Sequence, residues 1–470
     1  MQVRCAGKKE VMKKYDVIVI GSGAGVSVVE SALAHGLSVA LVDKGPLGGT
    51  CLNLGCIPSK MLVYPADRIV EIEQAKRLGI HAEIRKIDFS AIMERMRLKV
   101  QNGERHVREA ITLSDELDFY EGEGHFIGDS TLEVKGEKIS GRKIFIAAGV
   151  RPFIPVDIGL ESVEYLTNES VLGLKELPQS MIIIGGGYIA AEYGHFFAAM
   201  GTRVTIIQRN KRLLPQEEPE LSELLVEEMR KRMEIYTGTE VVQVKAAEEG
   251  HSVTGKDALS GKTQDFSAQK ILVVAGRRSN ADLLVVEKTG LETDEKGFIK
   301  VDEYLRTNRE NIWALGDIIG REMFRHVANR EASVAFNNAV HDGKQEMDYG
   351  AAPHAIFTSP EIASVGLKEE EAIAQHGADA ILVGRAGYSE VAMGDAMMER
   401  AGFAKAIVNR KEGGILGFHI IGPYASILVQ EVINAMASGG GIRNLARGMH
   451  IHPALPEVVI AAFSNLREAV

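Results

Sequence analysis

Two cysteines, Cys51 and Cys56, lie five positions apart in the segment Gly48-Gly49-Thr50-Cys51-Leu52-Asn53-Leu54-Gly55-Cys56-Ile57-Pro58-Ser59-Lys60. Close thiols support two kinds of chemistry: electron exchange through a dithiol and disulfide, or the binding of a soft metal ion. The chain has 470 residues and only three cysteines, which is not the composition of a secreted disulfide scaffold. A close pair in such a chain points to catalysis or metal binding rather than to a structural staple.

The elements that must position this pair begin just before it. Tyr15 to Ile20 is a short β-branched run that meets Gly21-Ser22-Gly23-Ala24-Gly25. A helical stretch follows through Ala34, and a second apolar run, Val39 to Val42, ends at Asp43. Strand, glycine turn, helix, strand and acid, with the acid about 20 residues after the first glycine, is the dinucleotide-binding order. Glycines let the backbone approach a pyrophosphate, the helix N-terminus offers unpaired N–H groups, and the acid can take ribose hydroxyls. The sixth fingerprint position is Val26 instead of Gly or Ala, so this helix is expected to stand further from the strand unless Gly25 compensates.

The pattern recurs. Met181 to Ile184 is apolar, and Gly185-Gly186-Gly187-Tyr188-Ile189-Ala190 opens a helix that carries Glu192 and ends at Gly201 before the strand Val204 to Ile207. One such turn is a weak signal. Two, each between a strand and a helix pattern, imply two bound nucleotides. Further on, 220–235 reads as a helix and 240–275 as strands. From about 350 the character changes, with strands at Pro353 to Val365, Phe403 to Val408 and Ile415 to Ile421 and helices at 367–375 and 425–437. This is a third domain.

Net charge is −10 and no basic block or basic–aromatic stripe occurs, so nucleic acid is not an expected partner. No apolar run approaches the roughly 20 residues that span a bilayer, so no membrane association is expected. Residues 1–14 lack an apolar signal region and read as a disordered extension, with Met12 an alternative start and Cys5 inside the extension.

Taken together, GGTCLNLGCIPSK at 48–60, the two glycine turns, AAGVRP at 147–152, AGRRSN at 275–280, WALGD at 313–317 and HIHPALPE at 450–457 resemble the class I pyridine nucleotide–disulfide oxidoreductases. That family includes dihydrolipoamide dehydrogenase and glutathione, mycothione and mercuric reductases. The resemblance covers roughly 14–465. It implies an α/β fold with two Rossmann-like domains, one binding FAD (15–153 and 281–346, discontinuous) and one binding NAD(P) (154–280), plus a C-terminal α+β dimerisation domain (347–470). It also implies a cytoplasmic enzyme.

For the site, the resemblance implies a redox disulfide between Cys51 and Cys56, with Cys56 nearer the flavin and Cys51 the thiol that attacks substrate. Residues five apart on an ideal helix rise about 7.5 Å, beyond disulfide reach, so the segment must be distorted, which Gly55 and Pro58 make easier. A metal site would need further Cys or His nearby; none is present, and no metal is expected. His452 resembles the family's proton broker, with Glu457 holding its tautomer. In the family this histidine reaches the partner subunit's site, which implies an obligate homodimer. Lys60 and Glu192 resemble a pair that offsets charge on the reduced flavin.

Cofactor contacts follow by the same resemblance. Asp317 would hold the FAD ribitol and Asp43, with Lys44 beside it, the adenosine ribose. Gly49, Thr50, Gly55, Gly124 and His125 fall where family members touch the flavin. Ala148, Gly149, Gly316 and His326 do so as well, although 324–326 reads Phe-Arg-His instead of the commoner Leu-Ala-His. Gly185, Gly187, Tyr188, Ile189 and Gly276 belong to the nicotinamide dinucleotide.

The second turn's following strand runs into Gln208-Arg209-Asn210-Lys211-Arg212. NAD-type sites place an acid there for the ribose hydroxyls. Its absence, with three cations following, favours NADPH over NADH, with Arg209 gripping the 2′-phosphate and Gln208 replacing the acid. The expected substrate is a small disulfide or dithiol. The Cys51 segment reads most like dihydrolipoamide dehydrogenase. Tyr388 to Met397 and Ile451 to Glu457 are similar to mycothione reductases. Glutathione is disfavoured by Ser31 and Ala32, which stand where glutathione reductases carry arginines. Mercury is disfavoured because no cysteine pair precedes Val470. A metal-ion or quinone reductase built on the same centre is the alternative, and a structural subunit of an oxo-acid dehydrogenase complex is a further one.

Overall fold

Lys13–Ile20 opens a seven-stranded sheet in the computed structural model, whose described residues are 12–469. The run is β-branched and its last four residues are buried, as suits a strand covered on both faces. Lys13 and Lys14 are part of it, paired with Ile139 and Ser140, so the expected extension does not include them. Residues 1–11, with Cys5, lie outside the described residues.

The chain divides into two compact units. The first holds the described residues up to Ile57, Lys99–Arg151 and Arg277–Met347. Here Lys13–Ile20 pairs in parallel with Val39–Asp43 and Glu137–Ile146. Leu117–Glu121 and Ile312–Ala314 extend the parallel part, and Thr131–Val134 and Gly124–Gly128 add an antiparallel edge. Phe145 and Trp313 stack at 5.5 Å in its core.

The second unit holds Pro58–Leu98, Pro152–Gly276 and the described residues from Asp348. It contains a parallel sheet of Glu234–Tyr236, Arg203–Ile207, Ser180–Ile184 and Lys270–Val273, a three-stranded antiparallel sheet over 239–268, and a six-stranded antiparallel C-terminal sheet. The fold is the expected α/β arrangement, with two strand–turn–helix–strand units and an α+β C-terminal part.

Several local readings need correction. The helix read over 220–235 is Pro219–Met229, because Met233 and Ile235 are buried and Glu234–Tyr236 joins the sheet edge beside Arg203–Ile207. Pro353 to Val365 is two antiparallel strands, Pro353–Ile356 and Ile362–Gly366. The helix over 425–437 is two, Ala425–Leu428 and Gln430–Ala437, and that over 367–375 is Glu369–His376. Two long helices carry no label in the sequence reading: Cys56–Gln74 and Phe89–Thr112. The first contains Pro65, which cannot donate to the carbonyl of Met61. Arg95, from the second helix, donates to that carbonyl at 3.1 Å instead.

Candidate active site

Both glycine turns are built by one rule. In the first, Gly21 N–H donates to Val42 O (2.8 Å) and Ala147 N–H to Ile20 O (2.8 Å), which draws the neighbouring strand against the turn. A Cβ at Gly21 would sit 2.3 Å from Ala147 O, so no other residue fits. In the second, Gly185 N–H donates to Ile207 O (3.0 Å), and a Cβ there would sit 2.4 Å from Val274 O. The next glycine of each pattern behaves differently. A Cβ at Gly23 would meet no protein atom within 3.7 Å, and one at Gly187 none within 4 Å. Those openings face the N-termini of the helices Gly25–Ala34 and Tyr188–Met200. Space beside a helix N-terminus is what a dinucleotide diphosphate requires, so the residues fit such a group in both turns.

Gly25 does compensate for Val26. A Cβ at Gly25 would lie 2.7 Å from Val19 Cγ1, so close helix–strand contact is made one position early. Asp43 accepts from Ser22 N–H (2.5 Å) and Gly45 N–H (2.6 Å), which fixes the turn from below. Lys44 pairs with Glu123 at 3.0 Å on the surface.

The cysteine segment is fastened to the first turn. Gly48 N–H donates to Ser22 Oγ at 2.9 Å, and a Cβ at Gly49 would come within 2.6 Å of Gly23 Cα. Asn53 is buried and donates to the carbonyls of Leu47 (2.8 Å) and Gly49 (3.0 Å). The predicted distortion is present: helix Gly49–Asn53 stops at Leu54 (φ −135°, ψ 5°), and a new helix begins at Cys56. Thr50 lies beside Gly55, where a Cβ would be 3.1 Å from Thr50 O.

Cys51 and Cys56 are thiols in this structure, Cys51 half-buried and Cys56 exposed. The Cys51 thiol is pushed above the ordinary range by its hydrogen bond with Cys56 and by burial, and the Arg325 guanidinium draws it partly back. Burial likewise pushes the Asp317 carboxyl up, against Arg277 and Arg325. Asp317 follows Gly316, whose N–H donates to the fully buried Glu331 at 2.6 Å. Asn280 holds Ala148 O at 2.8 Å and donates its N–H to Gly149 O at 3.2 Å. Gly124 packs on Val42 with His125 next to it in the strand, and His326 is exposed and stacks on Phe324 at 5.8 Å.

In the second unit, Lys60 Nζ meets both Glu192 oxygens at 2.7 Å and lies 4.2 Å from the centre of the Phe357 ring. Glu192, nearly buried, also accepts from Phe357 N–H at 3.2 Å. Tyr188 is exposed and Ile189 half-buried at the start of the helix that carries Glu192. Gly276 has φ 147° and packs near Phe153. Gln208 is buried against Gly186, where a Cβ would be 2.6 Å from its side chain. Arg209 and Lys211 are exposed and make no ion pair among the described residues, whereas Arg212 pairs with Glu223 at 3.6 Å.

His452 Nδ1 lies 2.8 Å from Glu457 Oε1, and Glu457 Oε2 accepts from Ala454 N–H at 3.0 Å. An ionised carboxylate only accepts, so Nδ1 carries the proton and a neutral ring keeps its Nε2 lone pair for an incoming proton. The bond from His452 holds the Glu457 carboxyl below its usual range.

The sequence reading missed Asn53, Glu331 and Arg325. The first two are buried polar groups without a pattern; Arg325 was legible only as a departure from the commoner alanine. Among the described residues, Glu218, Glu220 and Glu369 are the acidic cluster with metal-like spacing, and the Lys405 ammonium already stands among them, 2.7 Å from Glu220 and 2.6 Å from Glu369.

Comparison with known proteins agrees with this geometry. Residues 15–332 match the pyridine nucleotide-disulphide oxidoreductase family and residues 352–463 its dimerisation domain. The mycothione reductase of Mycobacterium tuberculosis is 38% identical over 472 residues, covering 97% of this chain and 100% of the relative. The dihydrolipoyl dehydrogenase of Chlamydia muridarum is 34% identical over 455 residues, covering 94% and 95%. The solved structure of the HOCl-induced flavoprotein disulfide reductase RclA from Escherichia coli matches with a TM-score of 0.84 at 27% identity, covering 96% of this chain and 99% of that one. The chain belongs to the pyridine nucleotide-disulphide oxidoreductases, flavoenzymes that use FAD and a nicotinamide dinucleotide to exchange electrons with a sulfur group.

Proposed function

We propose that this protein is an NADPH-dependent reductase of a low-molecular-weight disulfide, acting as a cytoplasmic homodimer. The observation that carries the reading is the end of strand Arg203–Ile207. Gln208 stands where an acid would bind ribose hydroxyls, and Arg209 and Lys211 are exposed beside it without carboxylate partners among the described residues. A 2′-phosphate meets cations there and no repelling carboxylate. The mycothione reductase similarity supports a small disulfide as substrate. Few cysteines suit a reducing compartment. Residues 15–153 with 281–346 would bind FAD, 154–280 NADPH, and 347–470 the second subunit. The exposure of Tyr424, Ile427, Met449 and Ile451 supports the dimer.

Bound FAD would relay electron pairs between the nicotinamide and the Cys51–Cys56 pair. The protein's own part follows from the thiols. Because the hydrogen bond with Cys56 and burial favour the protonated form of Cys51, a base would assist its attack, and the partner subunit's His452 would supply it. The Cys51 thiolate then displaces one substrate sulfur as a thiolate and forms a mixed disulfide. The imidazolium returns its proton to that leaving sulfur. Cys56 attacks Cys51 Sγ, releasing the second substrate thiolate and closing the Cys51–Cys56 disulfide. Lys60, steadied by Glu192, would offset negative charge on the reduced cofactor.

The test is steady-state kinetics with NADPH and NADH on mycothione, lipoamide and other small disulfides, quinones and Hg(II), for the wild type and for Arg209→Glu. The reading expects NADPH preference in the wild type, a shift of about tenfold or more toward NADH in Arg209→Glu, and turnover of a small disulfide that Cys51→Ser abolishes. Equal or better efficiency with NADH removes the NADPH part. Quinone or metal reduction that survives Cys51→Ser, with no disulfide turned over, removes the disulfide part.

A further inference from the structure

Arg325 has no role in the proposed chemistry, yet it stands beside the first glycine turn. It is the first residue of helix Arg325–Val340 and is half-buried. Its Nη1 lies 3.9 Å from where a Cβ would be at Gly23, the glycine whose open side gives a diphosphate room. Its charge also acts on Cys51 and Asp317, which come from two other elements.

The first turn needs such a cation. Two of its N–H groups are already used, Gly21 on Val42 O and Ser22 on the Asp43 carboxylate. The remaining donors therefore face a doubly charged diphosphate with one carboxylate, Asp43, against the same turn and a second, Asp317, within reach of Arg325's charge. A helix N-terminus carries only about half a unit of positive charge. A guanidinium adds a full charge and two parallel donors.

We propose that Arg325 is a diphosphate-binding residue of the FAD site, supplying by side chain the charge and donors that the Gly21–Gly25 turn lacks. The proposal rests on the flavin reading of this unit.

The test is titration of flavin-free protein with FAD, and separately with riboflavin, which has no phosphate, following flavin fluorescence for wild type, Arg325→Ala, Arg325→Met and Arg325→Lys. Failure of the wild type to bind FAD would refute the flavin reading itself. Given wild-type binding, loss of the guanidinium weakens FAD about tenfold or more, from the worth of a charge-assisted hydrogen bond. Lysine restores part of the loss, the loss shrinks at high salt, and riboflavin binding is unchanged. FAD affinity within twofold of wild type in both neutral variants overturns the proposal, as does an equal loss for FAD and riboflavin. If Arg325→Ala does not fold by circular dichroism, Arg325→Met, which keeps the aliphatic stem, decides.

Discussion

Glu192→Gln and Lys60→Met both abolish the Lys60–Glu192 ion pair, but the costs differ because the partners are buried unequally. The Lys60 side chain is 37% exposed and that of Glu192 only 6%. In Glu192→Gln, the amide oxygen still accepts from Lys60 and from Phe357 N–H, and the ammonium loses one acceptor, turns partly to water and keeps its contact with the Phe357 ring. The cost is about 1 kcal/mol, that of an ordinary hydrogen bond. In Lys60→Met, a nearly buried carboxylate retains one backbone donor and no countercharge. Breaking a buried ion pair in this direction costs about 3 kcal/mol or more. With 1 kcal/mol worth roughly 2 °C in a domain of this size, thermal unfolding of flavin-free protein by circular dichroism should show Tm lowered by about 2 °C in Glu192→Gln and about 6 °C in Lys60→Met. Equal shifts, or a larger shift for Glu192→Gln, would refute the reasoning from unequal burial.

The glycine turns separate packing from binding. Gly185→Ala drives a Cβ against Val274 O and should destabilise the protein, whereas Gly187→Ala should fold normally and lose nicotinamide affinity, read by calorimetric titration. Lys405→Met leaves Glu218, Glu220 and Glu369 facing one another with Lys405 gone from a site 1% exposed, and should cost about 3–5 kcal/mol at pH 7. Its pH dependence has a definite sign. Arg385 and Lys405 hold the Glu220 carboxyl down to about 2, so its stabilisation is present above the ordinary carboxylate range and is lost as pH falls toward about 2. The deficit of Lys405→Met measured by urea unfolding should therefore be smaller at pH 4 than at pH 7. Glu457→Gln leaves one acceptor oxygen where two serve His452 Nδ1–H and Ala454 N–H, and removes the charge that steadies the imidazolium; disulfide turnover should fall about tenfold or more while ferricyanide reduction is kept.

The glycine turns were legible because sterics leave no other residue at Gly21 or Gly185, and the strands because β-branched runs are the residues that fill a covered sheet. The break between Cys51 and Cys56 was legible once the resemblance implied a disulfide, because five residues of ideal helix rise beyond its reach. Other features depend on partners far away in sequence. The short strand Glu234–Tyr236 overrides a helical pattern because Ile235 finds the edge of a sheet. Pro65 sits inside a helix because Arg95 takes the carbonyl it leaves. Lys405 in a buried strand looks wrong until Glu218, Glu220 and Glu369 converge on it. Asn53 stands between two leucines and Glu331 follows Asn329 and Arg330, and only the folded loops show which N–H and carbonyl groups they serve.

The central claim is that Cys51 and Cys56 are one redox couple in series with the flavin. Anaerobic reductive titration with dithionite, followed by flavin absorbance, tests it most directly. A disulfide takes up one electron pair, so wild-type protein should accept about two electrons per flavin more than Cys51→Ser. Equal electron uptake by the two proteins would contradict the account.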